Sequence, residues 1–261
     1  VGSLSSGCVE ADLALHAQTA LSQGKPIIVR YGSGSPFMDI QLPCGGGLDI
    51  VLLPKPDLAV LTQLDLVEQQ RNRCVLEIDT QSGAMAMGTH GHAEPLTSKI
   101  SVEIVPEICF FAFGKGPEAI MFVALVIAAG YPAVLLSPDD ETIAIADKQE
   151  CTTMKLTSKS FPDNLPIDDR SAIILFFHDH DWEPELLYGS LKTSAFYIGA
   201  QGSFQARETR FAAMREMDVS DDQLKRLHGP IGLIPSVKDP ATLAISVLAE
   251  IVDKAMSDTF A

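Results

Sequence analysis

The sequence predicts an α/β protein whose second half is built on a parallel sheet. Three observations carry this. From Pro106 onward, apolar runs alternate with helical segments in the order strand, turn, helix, strand. The runs Ile108–Phe113, Ala133–Ser137 and Ser171–Phe177 are almost continuously apolar, as strands covered on both faces must be. Between the first run and its helix lies a G-x-G-x-x-A turn, Gly114-Lys115-Gly116-Pro117-Glu118-Ala119, in the Rossmann-like position between strand and helix.

The first half has a different texture, rich in Gly and Ser. Ala11–Gln23 carries Leu13, Ala14, Ala17, Ala20 and Leu21 at helical spacing, and Gly24 follows as a stop. Ile27–Tyr31, Asp49–Leu53 and Cys74–Asp79 read as strands bounded by turn residues, and Asp57–Gln70 as a helix. Gln81–Ser98 holds few apolar residues and reads as a loop or linker. In the second half, Pro117–Ala129 is a helix with proline in its first turn and Gly130 at its end. Pro184–Leu191, Arg207–Met217 and Ala241–Met256 are further helices, and Ala195–Ile198 is a fourth strand. Asp239 and Pro240 cap and start the last helix. The expected division is a smaller α+β domain over 1–105 and a Rossmann-like domain over 106–261.

Composition narrows the function. The 261 residues include 19 Lys+Arg against 34 Asp+Glu, a formal net charge of −15. That balance argues against binding nucleic acid or an anionic membrane surface, both of which need a basic face. Hydrophobic residues make up 46%, which excludes global disorder. No apolar stretch is long enough to span a bilayer. The chain opens on Val1 without a signal-peptide pattern, so a soluble cytoplasmic protein is expected. Five cysteines, with no C-x-x-C pair, suggest reduced thiols rather than a disulfide framework or structural zinc site.

In the glycine turn, Gly114 suits a tight turn and Gly116 a close approach to a pyrophosphate. Ala119 permits close helix packing, and the helix N-terminus supplies an anion site. Against this, Pro117 lacks an N–H and Glu118 adds a negative charge, while Ser137 stands where a ribose-binding acid is expected and Asp139 lies beyond a proline. A bound dinucleotide and a turn that has lost its nucleotide are both compatible with these residues. His178-Asp179-His180-Asp181 follows a strand, where ligands of such sheets gather; His178 and Asp181 are candidate contacts, or Asp181 is the cap of the next helix. His90 and His92 read as solvent-exposed. Gly199, Gly202, Ser203 and Arg207 form a candidate anion pocket, unless Arg207 merely pairs with Glu208. His228–Leu233 is a candidate wall of the cleft. Cys8 sits in a Gly/Ser-rich turn before a helix, where its thiolate would be favoured, and Glu10 suits the helix first turn. Cys44 precedes three glycines that would admit a ligand close to the backbone.

Several segments together resemble the xanthine dehydrogenase accessory factors, the XdhC/CoxI family. They are Gly7-Cys8-Val9-Glu10, Pro43-Cys44-Gly45-Gly46-Gly47, the glycine turn, Phe177–Asp181, Tyr197-Ile198-Gly199-Ala200-Gln201-Gly202-Ser203, Gly229–Leu233 and Ala244–Ile251. The family turn usually reads G-A-G-H, where this chain has Lys115 and Pro117, and its second strand usually ends D-P-R, where this chain has Ser137-Pro138-Asp139. The resemblance implies about 40 further residues ahead of Val1. It also implies a two-domain carrier that binds molybdenum cofactor (molybdopterin), protects it while its terminal sulfur is installed, and delivers it to an apo-molybdenum hydroxylase. In this reading Cys8 and Cys44 face the molybdenum or the pterin dithiolene, unless both are simply small residues in tight turns. The implied partners are the apo-enzyme and a sulfur donor, and a homodimer is compatible. The rival is an NAD(P)-dependent oxidoreductase, resting on the glycine turn alone. A third reading is an interaction scaffold that binds a partner but neither ligand.

Overall fold

The computed structural model describes residues 8–36, 45–88, 98–178 and 181–257. The chain divides into two units, Val1–Pro106 and Glu107–Ala261.

In the first unit, α1 (Cys8–Gln23) is followed by the antiparallel pair β1 (Ile27–Gly32) and β2 (Gly47–Leu52). Val9 and Leu13 of α1 pack on Val29 and Tyr31 of β1, and the Tyr31 hydroxyl donates to Asp12 Oδ2 at 2.6 Å. Helix α2 (Leu58–Gln69) starts at Asp57, whose carboxylate accepts from the backbone N–H groups of Ala59 and Val60. A three-stranded antiparallel sheet follows, in the order β4-β3-β5, from β3 (Cys74–Asp79), β4 (Met85–Gly88) and β5 (Lys99–Ile104). At residues 85–88 this corrects the reading of Gln81–Ser98 as a loop or linker. A tight turn at Asp79–Gly83, whose side chain accepts from Gln81 and Ser82, folds β4 back on β3.

The second unit is a six-stranded parallel sheet in the order β11-β10-β9-β6-β7-β8. Its strands are β6 (Cys109–Gly114), β7 (Ala133–Ser137), β8 (Thr152–Lys155), β9 (Ser171–Phe176), β10 (Tyr197–Ala200) and β11 (Leu227–His228). Its helices are α3 (Pro117–Ala128), α4 (Asp140–Asp147), α5 (Glu183–Ser190), α6 (Phe204–Glu216), the single turn α7 (Asp221–Leu224) and α8 (Pro240–Ser257). Alternate residues of each central strand serve opposite cores. Phe110, Ala112, Leu135, Ile174 and Phe176 pack against α3 and α8, whereas Phe111, Phe113, Leu136, Ile173 and Leu175 pack against α5 and α6. The rings of Phe110 and Phe176 lie 5.9 and 5.1 Å from that of Phe122 in α3. Both faces are therefore covered, which explains the unbroken apolar runs. The expected fourth strand begins two residues late because the carbonyls of Leu191, Thr193 and Ala195 are gathered by the Arg226 guanidinium at 2.8–2.9 Å.

The chain runs outward from β6 through β7 to β8, then returns beside β6 at β9 and runs outward the other way. The order thus reverses between β6 and β9, and a crevice at the carboxyl ends of those strands is where such folds hold ligands. Among the described residues no helix is long and apolar enough to cross a membrane.

Candidate functional site

The turn after β6 is held by its own chain. A Cβ on Gly114 would lie 2.7 Å from the Phe176 carbonyl oxygen, so only glycine lets the ends of β6 and β9 close. We expect Gly114→Ala to destabilise the second unit by about 1–3 kcal/mol, read by chemical denaturation; an unchanged midpoint would show the strand ends are not in contact. Gly116 adopts φ 84° and precedes Pro117, the first residue of α3. Its N–H donates to Thr142 Oγ1 at 3.0 Å. Thr142 is buried in α4, and both its hydroxyl and its N–H donate to Asp139 Oδ2. These bonds hold the Asp139 carboxyl below the usual carboxylate range. Ala119 is fully buried against the sheet, as its packing role requires. Across the strand reversal, Glu118 Oε1 lies 3.1 Å from His178 Nε2, which joins the first turn of α3 to the end of β9. A diphosphate arriving here meets one N–H already bonded, a proline without one, and a carboxylate. The turn does not fit that group.

The loop after β10 is built differently. Gly199 has Ile231 Cγ2 and Tyr197 Cε1 where a Cβ would stand, both at 2.7 Å. Gly202 at φ 146° sits over Ala206 and the Arg210 guanidinium. Ser203 caps α6, its hydroxyl accepting from the Ala206 N–H at 3.2 Å. Arg207 pairs with Glu208 at 2.9 Å and lies 4.2 Å over the Phe211 ring. Arg210 is the buried cation of this region. It reaches Glu183 through Nε and Nη2 at 3.2 and 3.1 Å, and donates to the Gln201 carbonyl at 2.8 Å.

A pocket of about 580 Å³ opens between this loop and residues 230–238. The second wall is tied to α8: Leu233 N–H donates to the Ser246 carbonyl, Ile234 N–H to the Ser246 hydroxyl, and Gly232 N–H to Glu250 Oε2. Glu250 Oε1 also accepts from the Tyr197 hydroxyl at 3.1 Å. The Tyr197 ring stacks on His228, with centroids 4.6 Å apart and planes 7° from parallel. The side-chain oxygen of Gln201, a lining residue, is buried without a hydrogen-bond partner among the described residues.

The remaining expected residues are not assembled. Cys8 opens α1 and Glu10 lies half-buried in its first turn. Cys44, His90, His92, Asp179 and His180 lie outside the described residues, so the expected thiol pair does too. Asp181 does not cap α5, whose N-cap position is Trp182 without a side-chain bond; it pairs with Lys159 at 3.7 Å. Among the described residues no three His, Cys, Asp or Glu side chains converge on a metal-sized site.

Comparison with known proteins places this architecture. Residues 110–251, more than half of the chain, match the profile of the XdhC Rossmann domain. The chain belongs to the XdhC family. Residues 1–32 also match the XdhC and CoxI family. A relative from Escherichia coli (strain K12), the molybdenum cofactor insertion chaperone PaoD, is 31% identical over 255 residues, spanning 96% of this chain and 73% of its own. A solved structure from Bacillus halodurans, described as a xanthine dehydrogenase, shares the fold with a TM-score of 0.72 at 20% identity. That match covers 98% of this chain and 83% of that one. Within this XdhC fold, the sequence reading missed Thr142, Glu183, Gln201, Lys238 and Glu250 as parts of the carboxyl-end architecture. Gln201 carried a signal, a long polar side chain in an otherwise small-residue turn. Glu250 carried another, an acid beside Val247 and Ile251 on the apolar side of α8.

Proposed function

We propose that this chain is a molybdenum cofactor accessory factor. It takes the cofactor as cargo, shields it while the terminal sulfur is installed by a sulfur donor, and delivers it to an apo-molybdenum hydroxylase of the xanthine dehydrogenase kind. The observation that carries this reading is the likeness, across nearly the whole chain, to an insertion chaperone. The chain's own residues bind and release rather than transform. The loop Gly199–Ser203 with the wall 230–238 receives the cargo. Phe204, Leu233 and Ile234, all exposed at its rim, limit water there. Lys238 has no ion-pair partner among the described residues and offers a cation to an anionic cargo. In this reading Gly114, Gly116, Ala119, His178 and Asp181 belong to the neighbouring crevice, and Cys8, Glu10 and Cys44 contribute to holding the cofactor. A homodimer of carriers fits this role.

Protein purified anaerobically from cells making the cofactor is expected to release close to one oxidised, fluorescent pterin per chain. Absence of retained pterin would sink the reading. The oxidoreductase reading finds little support in a turn whose Gly116 N–H is already bonded to Thr142. Calorimetric titration with NAD and NADP is expected to give no saturable heat. Saturable binding of either at micromolar concentration would favour the oxidoreductase instead.

A further inference from the structure

The three-stranded sheet of the first unit ends on one side at β5, Lys99-Ile100-Ser101-Val102-Glu103-Ile104. Among the described residues β5 pairs with β3 and no second strand. The opposite edge, β4, is four residues long and has α2 packed along it. β5 is six residues long and holds no proline, so shortness and proline do not blunt it. The charges that would deter pairing, Lys99 and Glu103, have opposite signs.

The backbone of β5 has a defined outward side. Thr80 N–H donates to the Ser98 carbonyl at 2.7 Å, and in an antiparallel pair such bonded positions alternate. Ile100, Val102 and Ile104 therefore turn their backbone groups to β3, and Lys99, Ser101 and Glu103 turn theirs to the open edge. A second copy of β5, antiparallel about a two-fold axis at Ser101, meets these groups in kind. Ser101 then faces the partner's Ser101, and Lys99 faces the partner's Glu103, twice. An axis at Ile100 or Val102 would set Lys99 opposite the partner's Ser101 or the partner's Val105 instead. Each charged group keeps its neighbour in its own sheet, Glu103 facing Arg73 at 4.0 Å and Lys99 standing opposite Asp79. On the other face Ile100 meets the partner's Val102, also twice. Both residues are 39% exposed, and the pairing closes this open apolar stripe. In a chain of net charge −15 most surface segments repel their own copies; β5, with one lysine and one glutamate, does not.

We infer that β5 is a self-pairing edge: two copies of this chain join their three-stranded sheets into one of six strands, with Lys99 and Glu103 setting the register. The seam is short, below the size of a permanent interface, so the pairing is reversible and depends on concentration. It gives a homodimer its surface and stands independently of the carrier reading.

Sedimentation equilibrium of the full chain, up to about 200 µM, is expected to show a monomer–dimer equilibrium. Lys99→Glu is expected to weaken dimerisation about tenfold or more, by setting carboxylates opposite each other twice. Adding Glu103→Lys restores opposite signs and is expected to bring the affinity back to within about threefold of wild type. Ser101→Pro removes an outward N–H without touching the β3 ladder, and is expected to abolish the dimer while the far-ultraviolet spectrum stays that of the folded chain. A monomer at every concentration overturns the inference, whether the edge is open or covered by the chain itself; fast or protected amide exchange at Ser101 tells which. A dimer unmoved by Lys99→Glu and Ser101→Pro assembles through another face and overturns it as well. So does a loss in Lys99→Glu that Glu103→Lys fails to rescue. A pterin-bearing monomer overturns the pairing alone, and a pterin-free dimer that responds to these variants overturns the carrier reading alone.

Discussion

Replacing Arg210 by leucine is expected to cost the second unit about 3–5 kcal/mol of stability, because it takes the guanidinium away from the buried Glu183 carboxylate. The side chains of Arg210 and Glu183 are each 3% exposed, and the two groups meet through two N–H donors. Their mutual attraction offsets a large desolvation cost, so the pair is worth little against an apolar pair yet much against a single survivor. The double replacement Arg210→Leu with Glu183→Leu is therefore expected to recover most of the loss. It should not restore ligand binding, since Arg210 also holds the Gln201 carbonyl that fixes the first pocket wall. Urea denaturation of the three variants checks this. A loss below about 1 kcal/mol in the single variant would mean that Glu183 finds water when Arg210 is gone.

The second large effect is a pH dependence centred on His228. Burial, helped by the positive charge of Lys254, pushes its imidazole from the ordinary 6.5 down to about 4. The native ring stays neutral through that interval, while the unfolded chain takes up a proton. Stability is thus unaffected above about pH 6.5 and falls as the pH drops from there toward 4. At about 1.4 kcal/mol per unit the full shift would give roughly 3 kcal/mol, and the ring's partial exposure lowers this to about 2. His228→Phe keeps a ring for Tyr197 to stack on and removes the titration. The stability difference between wild type and variant is expected to change by about 2 kcal/mol between pH 7 and pH 4. A constant difference would show that the native ring titrates normally.

Much of the second unit was legible because its signals are local. Proline at 117 and glycine at 130 bracket α3, Asp239 caps α8 with its carboxylate on the Thr142-like position Thr242, and continuous apolar runs mark strands covered twice. The edges were harder. β8 is Thr-Thr-Met-Lys and β4 is Met-Ala-Met-Gly, too short and mixed to show a period of two. β5 does show it, in Ile100, Val102 and Ile104, although the reading above omits that strand. The candidate site was legible in its glycines and obscure in its partners. Gly116 meets Thr142 across 26 positions, Glu183 meets Arg210 across 27, and Tyr197 meets Glu250 across 53. No local pattern records those pairings; tertiary packing decides them. Ser203 and Arg207 illustrate the converse, since each has a partner within three residues along α6.

The Thr142 hydroxyl on Gly116 has a thermodynamic consequence. A phosphate cradle whose donors wait for a ligand is stabilised by that ligand through mass action, and its melting temperature rises with ligand concentration. Here the acceptor is part of the chain, at an effective concentration no solute matches. The Gly116 donor is occupied from the moment the unit folds, and a phosphate-bearing compound must displace Thr142 to reach it. A ligand that engages the Gly116 N–H therefore raises the melting temperature by less than one that meets a waiting donor, because the bond to Thr142 is given up in exchange.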